Sequence, residues 1–133
     1  VALVHDAARC LVPIEVVSAV VDAVQAGAEA VVPGAPVVDT IRELTADGSS
    51  RTIDRSSLRA VQTPQGFSTV VLRRAHATGD PAATDDAGMG EALGLHVVLV
   101  PGHPRAFKVT TAQDLLLAEA ILAGSAELRE GGR

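Results

Sequence analysis

The sequence predicts an α/β fold: a Rossmann-like, mostly parallel sheet with helices on both faces and one protruding β-hairpin arm. Three observations carry this reading. An apolar run at residues 1–4 is followed by helical apolar spacing over 13–26 and a second apolar run at 29–33, the strand–helix–strand order of a parallel crossover. Another apolar stretch, Leu95-His96-Val97-Val98-Leu99-Val100, falls late in the chain and is closed by Pro101-Gly102. Between them, two polar stretches around 38–44 and 51–54 flank the turn-rich Ala46-Asp47-Gly48-Ser49-Ser50, the composition of a hairpin.

Taken in order, residues 1–4 read as a buried parallel strand running into His5-Asp6-Ala7-Ala8-Arg9. A carboxylate and a guanidinium thus stand three residues apart just past a strand end, where open α/β sheets bind their ligands, and the planar fork of Arg suits phosphate. The same two side chains would equally serve to pair with each other and cap the next helix. That helix is expected over 13–26, with Pro13 in its first turn, Ile14, Val17, Val20, Val21 and Val24 on one stripe, and Gly27 at its end. Residues 29–33 form a short buried strand.

The hairpin is polar on both faces and cannot be stable alone, so it must lean on something. Residues 58–62 return as a strand, and Thr63-Pro64-Gln65-Gly66 reads as a tight turn. Ser68 is placed to cap a helix running to about Thr78, stopped by Gly79-Asp80-Pro81. Thr84 reads as the cap of a further helix with Asp85 and Asp86 in its first turn, where the helix dipole favours carboxylates; a metal-binding role for the Asp pair is the lesser alternative. Phe107-Lys108-Val109 reads as a short strand. Thr111-Ala112-Gln113-Asp114 is a capping box with Asp in place of Glu, opening a largely apolar helix that Gly124 ends, and 125–133 is a flexible polar tail.

Composition removes several function classes. With 133 residues and 47% apolar content the chain fits one domain with a real core. Two Phe and no Trp or Tyr leave little for base stacking, and a net charge of −5 opposes polyanion binding, although a pocket of two or three cations remains compatible with it. The single Cys10 makes no internal disulfide, and His5, His76, His96 and His103 are scattered, only His5 having a site neighbour in Asp6. No metal ligands are assigned. Neither a membrane-spanning run nor a signal-peptide pattern occurs, so the cytoplasm is the expected location.

Six short strings, in order, carry a resemblance: His5-Asp6-Ala7-Ala8-Arg9, Pro36-Val37-Val38-Asp39-Thr40, Thr52-Ile53-Asp54-Arg55, Gln62-Thr63-Pro64-Gln65-Gly66-Phe67, Thr84-Asp85-Asp86-Ala87 and Phe107-Lys108-Val109-Thr110. Together they resemble the 2-C-methyl-D-erythritol 4-phosphate cytidylyltransferases of non-mevalonate isoprenoid precursor synthesis, over residues 1 to about 124. Cys10 departs from the pattern, the family usually having Pro after the Arg. The strand and Gly-rich, Arg- and Lys-containing nucleotide loop that open members of this family have no counterpart in this sequence. Residues 1–124 are therefore expected to be the C-terminal part of such a domain, with an arm at about 36–59, and the chain alone is expected to be inactive.

The resemblance implies transfer of a cytidylyl group from CTP to the phosphate of methylerythritol 4-phosphate, releasing pyrophosphate, with Mg²⁺ on the CTP phosphates. It implies that Arg55 and Lys108 hold the polyol phosphate for attack, and that Asp6, Arg9, Thr40 and Thr63 line the substrate side, Asp6 accepting from hydroxyls while Arg9 and the threonines donate. It also implies a homodimer in which the arm completes the partner's site. A cytidylyltransferase for a pentitol phosphate such as ribitol 5-phosphate would use the same charges, and a non-catalytic dimerisation module is the alternative from another class.

Overall fold

The computed structural model describes residues 1–78 and 85–130. Its strands are β1 (Ala2–Val4), β2 (Ala30–Pro36), β3 (Ile41–Leu44), β4 (Ser50–Ile53), β5 (Arg59–Val61), β6 (Gln65–Phe67) and β7 (Val97–Pro101). Its α-helices are α1 (Ile14–Gln25), α2 (Thr69–Thr78), α3 (Asp86–Ala92) and α4 (Ala112–Glu130), with single 3₁₀ turns at Arg55–Ser57 and Pro104–Ala106.

The α/β class holds, and the sheet is mixed. β2 is its centre. One edge of β2 pairs in parallel with β7, from Ala30 opposite Val97 to Gly34 opposite Pro101. Along its other edge β6 and β5 lie end to end, both antiparallel: Ala30 and Val31 face Phe67 and Gly66, while Gly34, Ala35 and Pro36 face Val61, Ala60 and Arg59. β1 pairs antiparallel with the far side of β6. The crossover through α1 does bring β1 and β2 into the same direction, but β6 is inserted between them. Among the described residues β1 pairs with β6 alone, antiparallel, so it is not the expected buried parallel strand, and Leu3 is 40% exposed.

Successive residues Ala30, Val31 and Val32 are all buried, which requires cover on both faces of β2. α1 packs on β2, β6 and β7, and α3 reaches β2 and β7 with α2 against it. The buried stripe of α1 is Val16, Val20 and Val24, four residues apart; Ile14 is exposed and Pro13 is the cap rather than part of the first turn. Val20 and Val24 close on Val31 to form the core. Gly66 is required where α1 crosses β6, since a Cβ there would run into Val20 and stand 3.1 Å from Val24 Cγ2. Gly27, at φ +108°, ends α1 as expected, its N–H bonded to Val24 O at 3.0 Å.

Four local expectations are corrected. Gln65 and Gly66 belong to β6 instead of a turn: after the cis Thr63–Pro64 peptide, Gln65 pairs with Val4 of β1 and Gly66 with both Leu3 of β1 and Val31 of β2. Residues 107–109 make no strand, their backbone being used one bond at a time, as in Val109 N–H to Ala8 O at 2.8 Å. α3 is capped by Asp85, whose Oδ1 accepts from Gly88 N–H at 2.8 Å. α4 continues through Gly124 to Glu130, the roughly 1 kcal/mol cost of a helical Gly being offset by the strong helix formers that follow it. The proposed Thr84 cap and the Gly79-Asp80-Pro81 stop lie outside the described residues, as do 131–133.

The capping box of α4 is present. Thr111 Oγ1 accepts from Asp114 N–H at 3.2 Å, and Asp114 Oδ2 accepts from Thr110 N–H at 3.0 Å and Thr111 N–H at 2.8 Å. Those N–H donors, Thr110 foremost, hold the Asp114 carboxyl below its ordinary range. The hairpin of β3 and β4 forms a separate two-stranded sheet. It is tied by Arg42 to Ser50 and Thr52 and by the Arg51–Glu43 ion pair, and it leaves Leu44 81% exposed.

Candidate functional site

β1, β2 and β7 share a direction, so their carboxyl ends share one edge of the sheet. β6 runs the other way with Gln65 opposite Val4, so the residues entering β6 arrive at that same edge. Topology alone thus brings together the loop after β1, the run 61–63 and the segment 102–109. This is the crevice where open α/β sheets place ligands.

Asp6 sits at the junction. Its backbone N–H donates to Thr63 Oγ1 at 3.0 Å, its Oδ1 accepts from Ala8 N–H at 3.0 Å, and Lys108 Nζ lies 2.6 Å from its Oδ2. The Lys108 bond, then the Ala8 N–H, holds the Asp6 carboxyl below its ordinary value. The Lys108 side chain is 51% exposed, and its ammonium is oriented by Asp6. Thr63 Oγ1 also lies 3.0 Å from His5 Nδ1, which makes its hydroxyl the meeting point of two loops. Asp6, Thr63 and Lys108, each a candidate from the sequence, are therefore one cluster.

Arg9 belongs to the same junction in another way. Its Nη1 donates to Ala106 O at 2.6 Å and its Nη2 to Val61 O at 3.2 Å, while Nε is buried with no hydrogen-bond partner among the described residues. Burial lowers the guanidinium's pKa, the Asp6 charge partly opposing this. Both terminal nitrogens of the fork are occupied by the chain's own carbonyls, tying the loop after β1 to β5 and to the 3₁₀ turn before Lys108. Thr40 and Arg55 are exposed at the base of the hairpin, Thr40 just before β3 and Arg55 opening the first 3₁₀ turn, where Asp54 caps it by accepting from Ser56 N–H at 2.9 Å.

The sequence reading missed three members of this network. His5 was noted only as a neighbour of Asp6. Gln62 and Gln65, 6% and 3% exposed, flank Thr63-Pro64 and are the buried polar side chains here. Gln65 Nε2 donates to Asp85 Oδ2 at 2.8 Å and its Oε1 accepts from Ala87 N–H at 3.0 Å, fastening α3 to β6. Gln62 does the same for the loop after β7. The sequence shows only two Gln bracketing a Thr-Pro step; it is their burial, seen in the fold, that requires their carboxamides to be hydrogen-bonded.

Asp85 is thus engaged as a cap and by Gln65, and Asp86 Oδ1 lies 2.7 Å from His76 Nε2 across α2 and α3. Among the described residues no group of three or more His, Cys, Asp or Glu side chains is placed to hold a metal ion. A separate shallow groove of about 260 Å³ lies between Gly34, Pro36, Arg59, Leu99, Pro101 and Gly102, and none of the six candidate residues lines it. Among the described residues no helix is long and apolar enough to cross a membrane.

Comparison with known proteins identifies the family. The family model for 2-C-methyl-D-erythritol 4-phosphate cytidylyltransferase matches residues 1–124. The enzyme of that name from Streptomyces coelicolor is 55% identical over 130 residues, covering 92% of this chain and 48% of the relative. The one from Saccharopolyspora erythraea is 57% identical over 124 residues, covering 92% and 55%. The crystal structure of the Thermus thermophilus enzyme superposes with a TM-score of 0.80 at 46% identity, covering 90% of this chain and 60% of that one. The chain spans about half the length of the curated relatives it matches. With the family model covering nearly all of it, the chain belongs to the 2-C-methyl-D-erythritol 4-phosphate cytidylyltransferases, a family of nucleotidyltransferases.

Proposed function

We propose that the whole protein transfers a cytidylyl group from CTP to 2-C-methyl-D-erythritol 4-phosphate and releases pyrophosphate, and that this chain supplies the polyol-phosphate side of the site. The observation that carries the reading is the Lys108 ammonium, held by Asp6 beside Thr63 at the carboxyl edge of the sheet and half exposed. A phosphate dianion entering there meets a fixed cation whose other charge partner is already in place. The phosphate oxygen attacks the α-phosphorus of CTP, the new P–O bond forms as the bond to the pyrophosphate leaving group breaks, and no protein nucleophile is required. Such a reaction brings two anions together, so positioning and cationic charge do most of the work. Mg²⁺ bound with CTP would offset the charge of its phosphates; the carboxylates of this site, Asp6, Asp85 and Asp86, are engaged in an ion pair, a cap and a His contact.

The arm is proposed to act across a homodimer. Thr40 and Arg55 are exposed at its base, Val38 and Leu44 are about four-fifths exposed, and a two-stranded ribbon with so little buried surface needs a support. An Arg55 fork reaching the partner's Lys108 would complete a two-cation clamp on the phosphate.

Subunit mixing tests both ideas. Arg55→Ala alone should raise KM for the polyol phosphate and lower kcat, a lost charged contact costing about 1.5–3 kcal/mol. A heterodimer of an Arg55→Ala subunit with a Lys108→Ala subunit should recover activity at one of its two sites, because that site receives an intact arm and an intact Lys108. No recovery in a verified heterodimer means that the arm serves its own subunit.

A further inference from the structure

We propose that Gln62 is the positioning residue for Lys108, its carboxamide setting where the loop that carries the ammonium sits. Between the end of β7 at Pro101 and the start of α4 at Ala112 the backbone has no sheet partner, so a few anchors fix its path. The first is Gly102, whose N–H bonds to Gly34 O at 2.9 Å and whose Cβ, if present, would run into Gln62 Oε1 and stand 2.8 Å from Gly34 C. The second is Gln62 itself. Its Oε1 accepts from His103 N–H at 2.9 Å and its Nε2 donates to His103 O at 2.9 Å, a two-point bond of the kind a neighbouring strand would make.

His103 is the pivot of the loop. Its carbonyl also accepts from Ala106 N–H at 2.9 Å and its Nδ1 accepts from Arg105 N–H at 3.0 Å, so the two backbone groups that Gln62 grips set the tilt of the 3₁₀ turn Pro104–Ala106. From that turn Ala106 O reaches Arg9, and two residues on Lys108 reaches Asp6. Gln62 is 6% exposed and both of its amide atoms are committed, so it touches no ligand and acts through the loop. It lies on the same three-residue run whose Val61 O receives Arg9 and whose Thr63 Oγ1 receives Asp6 N–H. One strand end therefore holds both sides of the ion pair.

The test reads the ion pair directly. Gln62→Met keeps the side chain's length and removes both bonds. The titration of Asp6, followed by carboxyl-carbon NMR in the chain, is compared in the unaltered protein, in Gln62→Met and in Lys108→Ala, the last giving the full effect of losing the ammonium. Val20→Ala, destabilising in the core beneath α1 and making none of the loop's hydrogen bonds, controls for a general loss of stability. Where Gln62→Met does not fold, Gln62→Asn, which keeps an uncharged amide but is one methylene too short to reach His103, is read in the same way.

The expected result is an upward shift of the Asp6 titration by at least half of that seen in Lys108→Ala, with Val20→Ala unchanged. A smaller shift, or an equal one in Val20→Ala, overturns the proposal. The functional arm rests on the reading under Proposed function: in the whole protein Gln62→Met should raise KM for the polyol phosphate about tenfold, as expected for a displaced charged contact. If Asp6 moves while KM does not, the positioning of Lys108 stands and its assignment to the phosphate falls, so the two claims fail separately.

Discussion

Replacing Arg9 with Met separates a structural clasp from a ligand-binding fork. Met retains the apolar stem and removes every donor. The short bond to Ala106 O, at 2.6 Å onto a residue that is fully buried, is a charge-assisted contact, and such bonds contribute about 1.5–3 kcal/mol. The bond to Val61 O, at 3.2 Å and exposed, adds about 0.5 kcal/mol. Against these stands the cost of a partly buried guanidinium with an unbonded Nε, about 1 kcal/mol recovered on substitution. The net loss is about 1–2.5 kcal/mol, and at about 3 °C per kcal/mol for a chain of this size the melting temperature should fall by about 3–8 °C. Thermal unfolding by circular dichroism measures the fall, and amide hydrogen exchange at Lys108 and Val109 should speed up in step with it. An unchanged or raised melting temperature would refute the clasp, because the two carbonyl bonds would then be worth no more than the burial they require.

Two further outcomes follow from local chemistry. Asp47 Oδ1 accepts from Thr45 Oγ1, Ser49 N–H and Ser49 Oγ in the hairpin turn, which lowers its carboxyl to about 2. A depressed carboxyl supports the folded turn fully above its unfolded value near 4 and loses that support as pH falls toward 2; the Ser49 amide resonance should therefore move with a midpoint near 2, and a midpoint near 4 would show the turn bonds to be absent. The 133-residue chain by itself should release no pyrophosphate from CTP in the presence of the polyol phosphate, since its sequence contains no Gly-rich loop bearing Arg and Lys; release above a no-protein control would contradict this.

Features governed by neighbours in sequence could be read before any coordinates. Thr111 and Asp114 cap α4 as their spacing requires, Gly27 ends α1, and residues 46–50 turn the hairpin, because each depends on bonds spanning two to four residues. The strand edge holding Asp6 was legible for the same reason: an apolar run followed by Asp and Arg defines its own end. What lay out of reach depends on distant partners. Nothing near β1 says that β6 is inserted between it and β2, because that choice is made by the end-to-end stacking of β5 and β6 along one edge of β2. Residues 107–109 look like a strand by composition, yet none of the described strands pairs with them, and Val109 N–H bonds singly to Ala8 O in the loop after β1. Arg9 reads as a fork for phosphate, and nothing near it in sequence announces its acceptors in this structure, the carbonyls of Val61 and Ala106, 52 and 97 residues away. Gln62 reads as the end of a strand and Gln65 as part of a turn, and nothing in the sequence says that both side chains are buried. Once water is excluded, their amides must bond to whatever the fold brings near, and only the tertiary structure determines what that is.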